Sequence, residues 1–407
     1  MADPIQAKGW CPTAWQPMRA QDGWILRVRP HCAAISAAQW RVLAQLALAH
    51  AHPEIELTRL GNVQLRGVHE AQVHALRQRL IEAGLVPADA DADLAPAVHC
   101  TPLYRAGDAT HALAQRLSAA VIACLNPQAL ARQGLAALPG KFGLLVDDPA
   151  RRMRAIGADL QLWVADGGYG LALADAAHSH GFASADAAVD AAMGIALWFA
   201  RERAGLAPAP TRLRGLLAHR AAPLPPALPS STGPAEPPAP GPLPGHGTLI
   251  GAPLGRIDAA ALLALAAQLP PAAEIRVTPW RSLLVPDAEP LPAADTTHWI
   301  TQPGDPRLRV SACTGAPRCA QGHVPAQTLA LALAGAVPRH RHLHVSGCAK
   351  CCALSADAAA VVVASRDARG QPLLDICRAD APGTPIHSLA ATEAPAQITR
   401  LLNDLYL

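Results

Sequence analysis

The sequence predicts an α/β (α+β) protein that is internally duplicated. Residues 35–68 and 257–288 begin alike: each opens on an N-cap residue, Ser36 or Asp258, continues with apolar residues at helical spacing, and ends in two short alternating runs. A proline-rich stretch, residues 222–247, lies between the two copies. Strand-like and helix-like segments alternate in both halves, which is typical of mixed sheets covered by helices. We therefore expect two related halves that pack around one site.

Each copy of the repeat is a helix followed by two paired strands, and further elements follow it in both halves. In the first half, residues 157–173 predict a hairpin with Asp166-Gly167-Gly168 at the turn, and the segment beginning at Ala185 predicts a helix. In the second half, the runs RLRVSAC and RHLHVSGC predict strands that lead straight into cysteine-bearing loops, and residues 358–379 predict another hairpin. The proline-rich stretch has no apolar period and predicts an extended, semi-rigid connector.

The composition indicates a globular chain without a strong global charge. The 407 residues are 51% hydrophobic, which is enough to bury a core in each of about two to four domains. Lys and Arg number 34 against 31 Asp and Glu, so the net charge of +3 gives no reason to expect a nucleic-acid or membrane partner. The N-terminal residues show no leader pattern, and no run approaches the ~20 apolar residues that span a bilayer, so we expect a cytoplasmic protein.

Four cysteines form two pairs, and each pair follows a strand-like run. Cys313 and Cys319 are separated by five residues, Cys348 and Cys352 by three, and 28 residues lie between the pairs. Two strand ends can present four thiolates to one point, as a [4Fe-4S] cluster requires. A structural zinc site, whose close cysteines are usually two to four residues apart, and a buried apolar turn are the alternatives. Cys351 is left over, and we expect core burial for the cysteines without partner spacing, which are Cys11, Cys32, Cys100, Cys124 and Cys377.

A basic strand in the first half suits a ligand with several carboxylates. Strand alternation in LTRLGNVQLRGV places Asn62, Gln64 and Arg66 on one face, with Arg59 just upstream. Polar groups on one face of a core strand are costly unless something polar lies against them, and the planar fork of Arg matches carboxylates. A solvated outer face of the sheet is the alternative. Two further cations join the candidates, Lys141 in the glycine-flanked turn LPGKFG and Arg281 in the equivalent strand TPWRSLLV of the second copy.

With these motifs assembled, the chain resembles the nitrite and sulfite reductase superfamily. LTRLGNVQLRG, LPGKFG, ACTGAPRC and HVSGCAKCC occur in the family's order and extend over essentially the whole chain. The resemblance implies two ferredoxin-like half-domains and two larger mixed-sheet domains. The implied divisions are a first half-domain at 1–90, a tetrapyrrole domain at 91–221, the linker at 222–247, a second half-domain at 248–300 and a cluster domain at 301–407.

Within the superfamily the chain resembles the precorrin-3B synthase family of the aerobic cobalamin pathway. The N-terminal CPTAWQPMRAQDGWILRVRP, the strand VTPWR and the modest length carry this likeness. It implies an oxygen-dependent monooxygenase that hydroxylates precorrin-3A at C20 while the ring A acetate closes a γ-lactone. It further implies a monomer that takes electrons from an NADH-linked donor protein and uses a [4Fe-4S] cluster and a mononuclear non-haem iron.

The resemblance also implies roles for particular residues, although it assigns no catalytic side chain. Cys313, Cys319, Cys348 and Cys352 would hold the cluster, and His342 and His344 are candidate ligands of the mononuclear iron. The residues implied to hold the substrate carboxylates are Arg59, Asn62, Gln64, Arg66 and Lys141, with Arg27, Arg29 and Arg281 as weaker candidates.

Three positions depart from the superfamily pattern. Gly143 stands where the reductases have a second lysine, Cys351 stands where a glycine is expected, and Leu354-Ser355 replaces a His-Pro. A cysteine at position 351 is strained if that position needs a positive φ. The main rival function is a sirohaem-dependent nitrite or sulfite reductase in which Cys352 bridges to the haem iron. A non-enzymatic alternative is a zinc-ribbon-like binding module that uses the Arg59 and Gln64 face for protein contact.

Overall fold

Four sheets with helices packed against them make up the described part of the chain. The computed structural model describes residues 11–174, 178–225, 228–229, 235–288, 295–354, 357–392 and 395–406.

The first half-domain is built on the helix, strand, strand unit that the sequence predicts. Its helix begins with a capping box: the Ser36 side chain accepts from the Gln39 backbone N–H, and the Gln39 side chain accepts from the Ser36 N–H. The elements are β1 (Met18–Ala20), β2 (Gly23–Val28), β3 (Ala34–Ser36), α1 (Ala37–His50), β4 (Glu54–Leu57), β5 (Val63–Val68) and α2 (Val73–Glu82).

A larger sheet covered by two long helices follows. Its strand Gly143–Asp147, one place in from the edge of the sheet, is buried throughout because α4 covers one face and the neighbouring strands pair with both of its edges. The elements are α3 (Ala90–Leu94), β6 (Ala97–Cys100), α4 (Ala109–Leu125), α5 (Pro127–Arg132), β7 (Gly143–Asp147), β8 (Leu160–Ala165), β9 (Gly168–Leu173), β10 (His178–Phe182), α6 (Ala185–Glu202) and α7 (Leu213–Leu217).

The second half-domain repeats the first, with the Asp258 side chain capping its helix at the Ala261 N–H. Within the proline-rich stretch, the described residues 228–229 pair with β10 and residues 241–243 with the second half-domain. The elements are β11 (Leu228–Pro229), β12 (Gly241–Leu243), β13 (Gly247–Gly251), β14 (Arg256–Asp258), α8 (Ala259–Ala267), β15 (Glu274–Val277) and β16 (Ser282–Val285).

The C-terminal unit has one five-stranded sheet. Its first three strands run parallel to one another, and the fourth and fifth each pair antiparallel with the strand before. Its elements are β17 (Val310–Ala312), α9 (Ala326–Leu333), β18 (Leu343–Ser346), β19 (Ala360–Arg366), β20 (Pro372–Arg378), β21 (His387–Ala390) and α10 (Pro395–Tyr406).

The two half-domains exchange strands and share one core. The sheet orders are β1-β2-β5-β4-β14 and β12-β13-β16-β15-β3, so each sheet ends in a strand from the other half. Helices α1 and α8 pack together, and the buried Trp40 indole donates to Ile275 O at 3.0 Å. The two remaining sheets have the orders β11-β10-β9-β8-β7-β6 and β17-β18-β19-β20-β21.

The predicted mixed α/β architecture with two related helix, strand, strand units is confirmed. The hairpin with Asp166-Gly167 at its turn, the helix from Ala185 and the strands that lead into the cysteine loops are all present.

Two of the cysteines expected in the core are not buried there. Cys124 is exposed on α4, and Cys11 is only half-buried. Part of the proline-rich stretch, Ser355 and residues 1–10 lie outside the described residues. No helix in the described ranges is long and apolar enough to cross a membrane.

Candidate functional site

A tight turn joins β4 to β5 and presents the polar face that the sequence singles out. The Thr58 N–H donates to Asn62 O at 2.9 Å, and the turn needs a positive φ of 67° at Gly61. Gly61 supplies that conformation without strain. The turn thereby places Leu60 and Asn62 at the boundary between the first half-domain and the β6–β7 edge of the larger sheet.

Two cavities that share part of their walls lie at this boundary; together we call them the central cavity, and each of them a lobe. The first lobe measures about 420 Å³ and the second about 490 Å³. The lobes share the side chains of Arg29, Leu60, Asn62 and His99 in their walls. His31, Cys100, Met153 and Val277 complete much of the first lobe, and Cys11, Arg27, Lys141, Phe142 and Arg212 much of the second.

Several of the predicted carboxylate-binding residues meet in the second lobe. Asn62 and Lys141 share its wall with Arg27 and Arg29, which the sequence gives only as weaker candidates. Burial lowers the pKa of both guanidinium groups, yet arginine remains charged at any physiological pH. The second lobe is therefore a cationic chamber.

Gln64 and Arg66 are engaged elsewhere on the same sheet. Gln64 accepts from Arg27 at 2.8 Å and donates to Glu56 at 2.7 Å, so it orients a cavity-lining guanidinium. Arg66 donates to Asp22 at 2.6 Å in a largely buried ion pair. The structure thus places Gln64 directly behind the cavity wall and commits Arg66 to Asp22.

Arg59 and Arg281 meet in a separate small pocket of about 200 Å³, which we call the arginine pocket. Arg281 has a φ of 56° at the position that Gly61 occupies in the first copy, since the Thr278 N–H also donates to Ser282 O. A non-glycine residue in this conformation stores backbone strain. Burial, and then the neighbouring Arg59 charge, lower the pKa of Arg281.

The two histidines proposed as iron ligands flank one serine at the edge of the arginine pocket. His342 Nε2 and His344 Nδ1 each lie 2.9 Å from the Ser311 hydroxyl oxygen. Burial lowers the pKa of His342 and lowers that of His344 to about 4, so both rings are neutral at physiological pH. The other ring nitrogen of His344 faces the backbone of Cys352 but makes no hydrogen bond of normal geometry.

The two cysteine loops leave the same edge of the C-terminal sheet. Strands β17 and β18 are parallel neighbours, so Cys313 and Cys348, which follow them, emerge side by side. The Gly347 N–H donates to Cys313 Sγ at 3.0 Å. A Cβ added at Gly347 would lie 2.9 Å from the Gly315 Cα, so only glycine permits the loops to pack this closely.

The donor chemistry of these loops fits an iron–sulfur cluster. Burial raises the pKa of Cys352, and the nearby thiols of Cys348, Cys313 and Cys319 raise it further, so these three thiols lie within electrostatic range of Cys352. Thiolates are the ligands that such clusters use, and a backbone N–H to sulfur is a usual companion. Within the described ranges, no group of three or more His, Cys, Asp or Glu side chains is arranged to hold a metal ion.

Cys351 occupies the strained position that its replacement of glycine predicts. Its φ is 50°, and that of Ala353, two residues on, is 64°. Each L-residue in this region carries a steric cost that glycine does not have. The departure from the superfamily pattern therefore has a local energetic cost.

Sequence reasoning missed His99 and the pair Cys32 and Cys100. His99 lies in the wall shared by both lobes, and burial lowers its pKa to about 4. A Cβ added at Gly143 would lie 3.6 Å from His99 Nε2, so the imidazole fills the space beside the missing second lysine. A histidine at the end of an apolar run gives no sign of this in the sequence; only the pairing of β6 with β7 brings it there.

Comparison with known proteins agrees with this architecture. The family model of the nitrite/sulfite reductase ferredoxin-like half domain matches residues 16–83. A precorrin-3B synthase from Sinorhizobium sp is 26% identical over 377 residues, which cover 85% of this chain and 78% of that protein. The solved structure of Mycobacterium tuberculosis NirA protein covers 94% of this chain and 80% of its own, with a TM-score of 0.62. At 18% identity that likeness shows the fold alone.

The half-domain match, the precorrin-3B synthase relative and the structural neighbour agree with the sequence motifs. The chain has the nitrite and sulfite reductase-like fold, and its resemblance to that superfamily, and within it to precorrin-3B synthase, is confirmed.

Proposed function

We propose that this chain is an oxygen-dependent monooxygenase that converts precorrin-3A to precorrin-3B by hydroxylation at C20 and closure of a γ-lactone by the ring A acetate. The observation that carries the proposal is the second lobe of the central cavity, whose wall contains Arg27, Arg29 and Lys141 together with Asn62. A tetrapyrrole of this pathway carries carboxylates around its rim, and cations grouped in one cavity suit such a rim. The similarity to a curated precorrin-3B synthase supports the choice of substrate.

The residues of the chain divide the binding work between two places. Arg27 and Lys141 hold carboxylates in the second lobe, and Gln64 keeps the Arg27 guanidinium in place. Arg59 and Arg281 hold a further carboxylate at the arginine pocket, on the side facing the cysteine loops. Arg66, which is bound to Asp22, supports the sheet from behind.

The reaction needs two electrons and two protons for each oxygen molecule, because one oxygen atom enters the product and the other leaves as water. An NADH-linked donor protein is the proposed source of the electrons. Cys313, Cys319, Cys348 and Cys352 would hold a [4Fe-4S] cluster, with His342 and His344 still candidates for a mononuclear iron. When bound, these groups would supply single-electron transfer and a place for oxygen activation. The monomeric, cytoplasmic state stays a prediction.

The first test is the absorption spectrum of protein purified without oxygen, with iron and acid-labile sulfide counted on the same sample. The proposal expects a broad shoulder, about four sulfides per chain and iron in slight excess, without sharp macrocycle bands. Sharp sirohaem bands would assign the chain to nitrite or sulfite reduction, the rival function. A colourless protein loaded with zinc would contradict both functions and leave the binding module.

The second test is turnover of precorrin-3A with labelled oxygen gas. The product should be heavier by one oxygen atom, and that atom should carry the label. Lys141→Met should raise the KM for precorrin-3A, whereas Lys141→Arg should retain most of the affinity because it keeps the charge in the second lobe. Arg378→Met, which changes an exposed arginine of β20, serves as the control.

A further inference from the structure

Cys32 and Cys100 lie together where the first half-domain meets the larger sheet. Cys32 lies in the short turn before β3 and is 3% exposed, and Cys100 is the last residue of β6 and is 6% exposed. Both belong to one buried cluster, in which the turn that carries Cys32 packs against β6. Neither cysteine has a role in the functions proposed above for the central cavity, the arginine pocket and the cysteine loops.

The surroundings make the two thiols chemically unequal. The neighbouring Cys100 thiol, and then His31, lower the pKa of Cys32 to about 5, while the proximity of Cys32 and burial raise the pKa of Cys100 well above its usual value. His31 Nε2 lies 4.0 Å from Cys32 Sγ, and this contact raises the pKa of His31. At neutral pH Cys32 is therefore a thiolate beside the His31 ring, with a protonated Cys100 as its neighbour.

The backbone holds Cys32 in this position. Its φ is 48° and that of Ala33 is 61°, and the equivalent residues of the second copy, Leu254 and Gly255, have φ values of 55° and 75°. Because the same turn occurs in both halves, the fold imposes its shape. In the second copy Leu254 makes an ordinary apolar contact with the core of the C-terminal unit, whereas in the first copy a cysteine faces another cysteine.

A small molecule has a route to the pair. The first lobe of the central cavity, about 420 Å³, is lined by both His31 and Cys100. Reactive thiols that act as redox sensors combine a lowered pKa, access to a small oxidant and a second cysteine nearby. Cys32 has the lowered pKa and a second cysteine in the same cluster, and the first lobe, lined by the flanking His31 and by Cys100, brings an oxidant beside it.

We propose that Cys32 and Cys100 form a redox-active dithiol that hydrogen peroxide oxidises reversibly to a disulfide. The Cys32 thiolate attacks one peroxide oxygen and the O–O bond breaks. This leaves Cys32 as a sulfenic acid and releases hydroxide, which takes up a proton from solvent to become water. The Cys100 sulfur then attacks the Cys32 sulfur, and the S–O bond breaks with loss of a second water. Two thiols lose two electrons in total, and one peroxide is reduced to two waters.

Oxidation would join the first half-domain covalently to the larger sheet at the wall of the central cavity. The bond would span the turn before β3 and the end of β6, and it would remove the Cys100 thiol from the first lobe. This site does not depend on the proposed monooxygenase activity, since it needs no bound metal and no tetrapyrrole.

The test is peptide mapping of the full chain after treatment with hydrogen peroxide, with free thiols alkylated and no reductant present. Trypsin places Cys32 in residues 28–41 and Cys100 in residues 80–105, and each of these peptides contains a single cysteine. We expect the two peptides to be linked in most chains, lighter together by two hydrogens, and to separate after dithiothreitol. Failure to find the linked peptides in oxidised wild-type protein would overturn the proposal.

Two variants identify the attacking thiol. In Cys100→Ser protein the second step is blocked, so dimedone should label Cys32 as a sulfenic acid. In Cys124→Ser protein, which loses an exposed cysteine on α4, the Cys32 to Cys100 link should form as in the wild type. Dimedone labelling that is confined to the exposed Cys124 would also contradict the proposal.

Discussion

Ile35 of the first half pairs with Ile275 of the second, while its counterpart Ile257 pairs with Ile55. The short strand before each repeated helix thus completes the sheet of the other half. All four side chains are at most 1% exposed and belong to one core. Separating the halves would break two strand pairings and divide that core, so neither half-domain has a complete sheet on its own.

We expect Ile35→Ala and Ile257→Ala to destabilise the whole chain by similar amounts. Each removes buried methyl groups at the exchanged strands, which costs about 2–5 kcal/mol in the free energy of unfolding. Ile122→Ala, at a side chain 41% exposed on α4, should change it by less than about 0.5 kcal/mol. Denaturant unfolding followed by tryptophan fluorescence measures this. A variant in which only one half loses stability, seen as two separate transitions, would contradict the shared core.

Arg281→Gly should have opposite effects on stability and on substrate binding, which separates the backbone strain at Arg281 from its proposed binding role. Glycine at this φ of 56° relieves backbone strain, so the unfolding free energy should rise by about 1 kcal/mol. The same change removes a cation from the arginine pocket, so precorrin-3A should bind more weakly, which tryptophan quenching or calorimetry measures. Arg281→Lys keeps both the strain and the charge and should change stability little. Unchanged substrate affinity in Arg281→Gly would remove Arg281 from the binding set.

Cys351→Gly should stabilise the protein without loss of cluster ligands. Its φ of 50° favours glycine, so the unfolding free energy of the metal-free chain should rise by about 1 kcal/mol. Ala353→Gly, at a φ of 64°, is the matched control that relieves similar strain without removing a thiol. Iron and sulfide content should be the same in both variants. If Cys351→Gly alone loses iron and sulfide, Cys351 is a ligand and the assignment of Cys352 must be revised.

The sequence predicted the repeated units and the cysteine loops because their signals are local. Capping residues such as Ser36 and Asp258, helical spacing and strand alternation are set by neighbours a few positions away. The strand exchange and the position of His99 depend on contacts between residues far apart in the chain. Helical spacing and strand alternation do not predict such contacts. Arg66 is a further example. Strand alternation predicted its place on the polar face, but it could not predict the ion pair with Asp22, which lies 44 residues away in the chain.

Asp147 should make the stability of the protein depend on pH between about 4 and about 7. It is 1% exposed at the end of β7; burial, and then the neighbouring Asp148, raise its pKa to about 7. Because the pKa is raised on folding, the favourable contribution of the protonated carboxyl is complete below its unfolded value of about 4 and is lost as the pH rises through about 7.

Asp147→Asn removes this dependence while its amide oxygen still accepts from the Asp148 and Met153 N–H groups. The variant should be more stable than the wild type by roughly 2–4 kcal/mol at about pH 8.5, and the advantage should shrink towards about pH 5.5. Asp190→Asn, at an exposed carboxylate on α6, should follow the wild type at both pH values. Denaturant unfolding at the two pH values provides the measurement. An equal gain at both would mean that Asp147 is not protonated in the folded protein, because then no proton would be released between them.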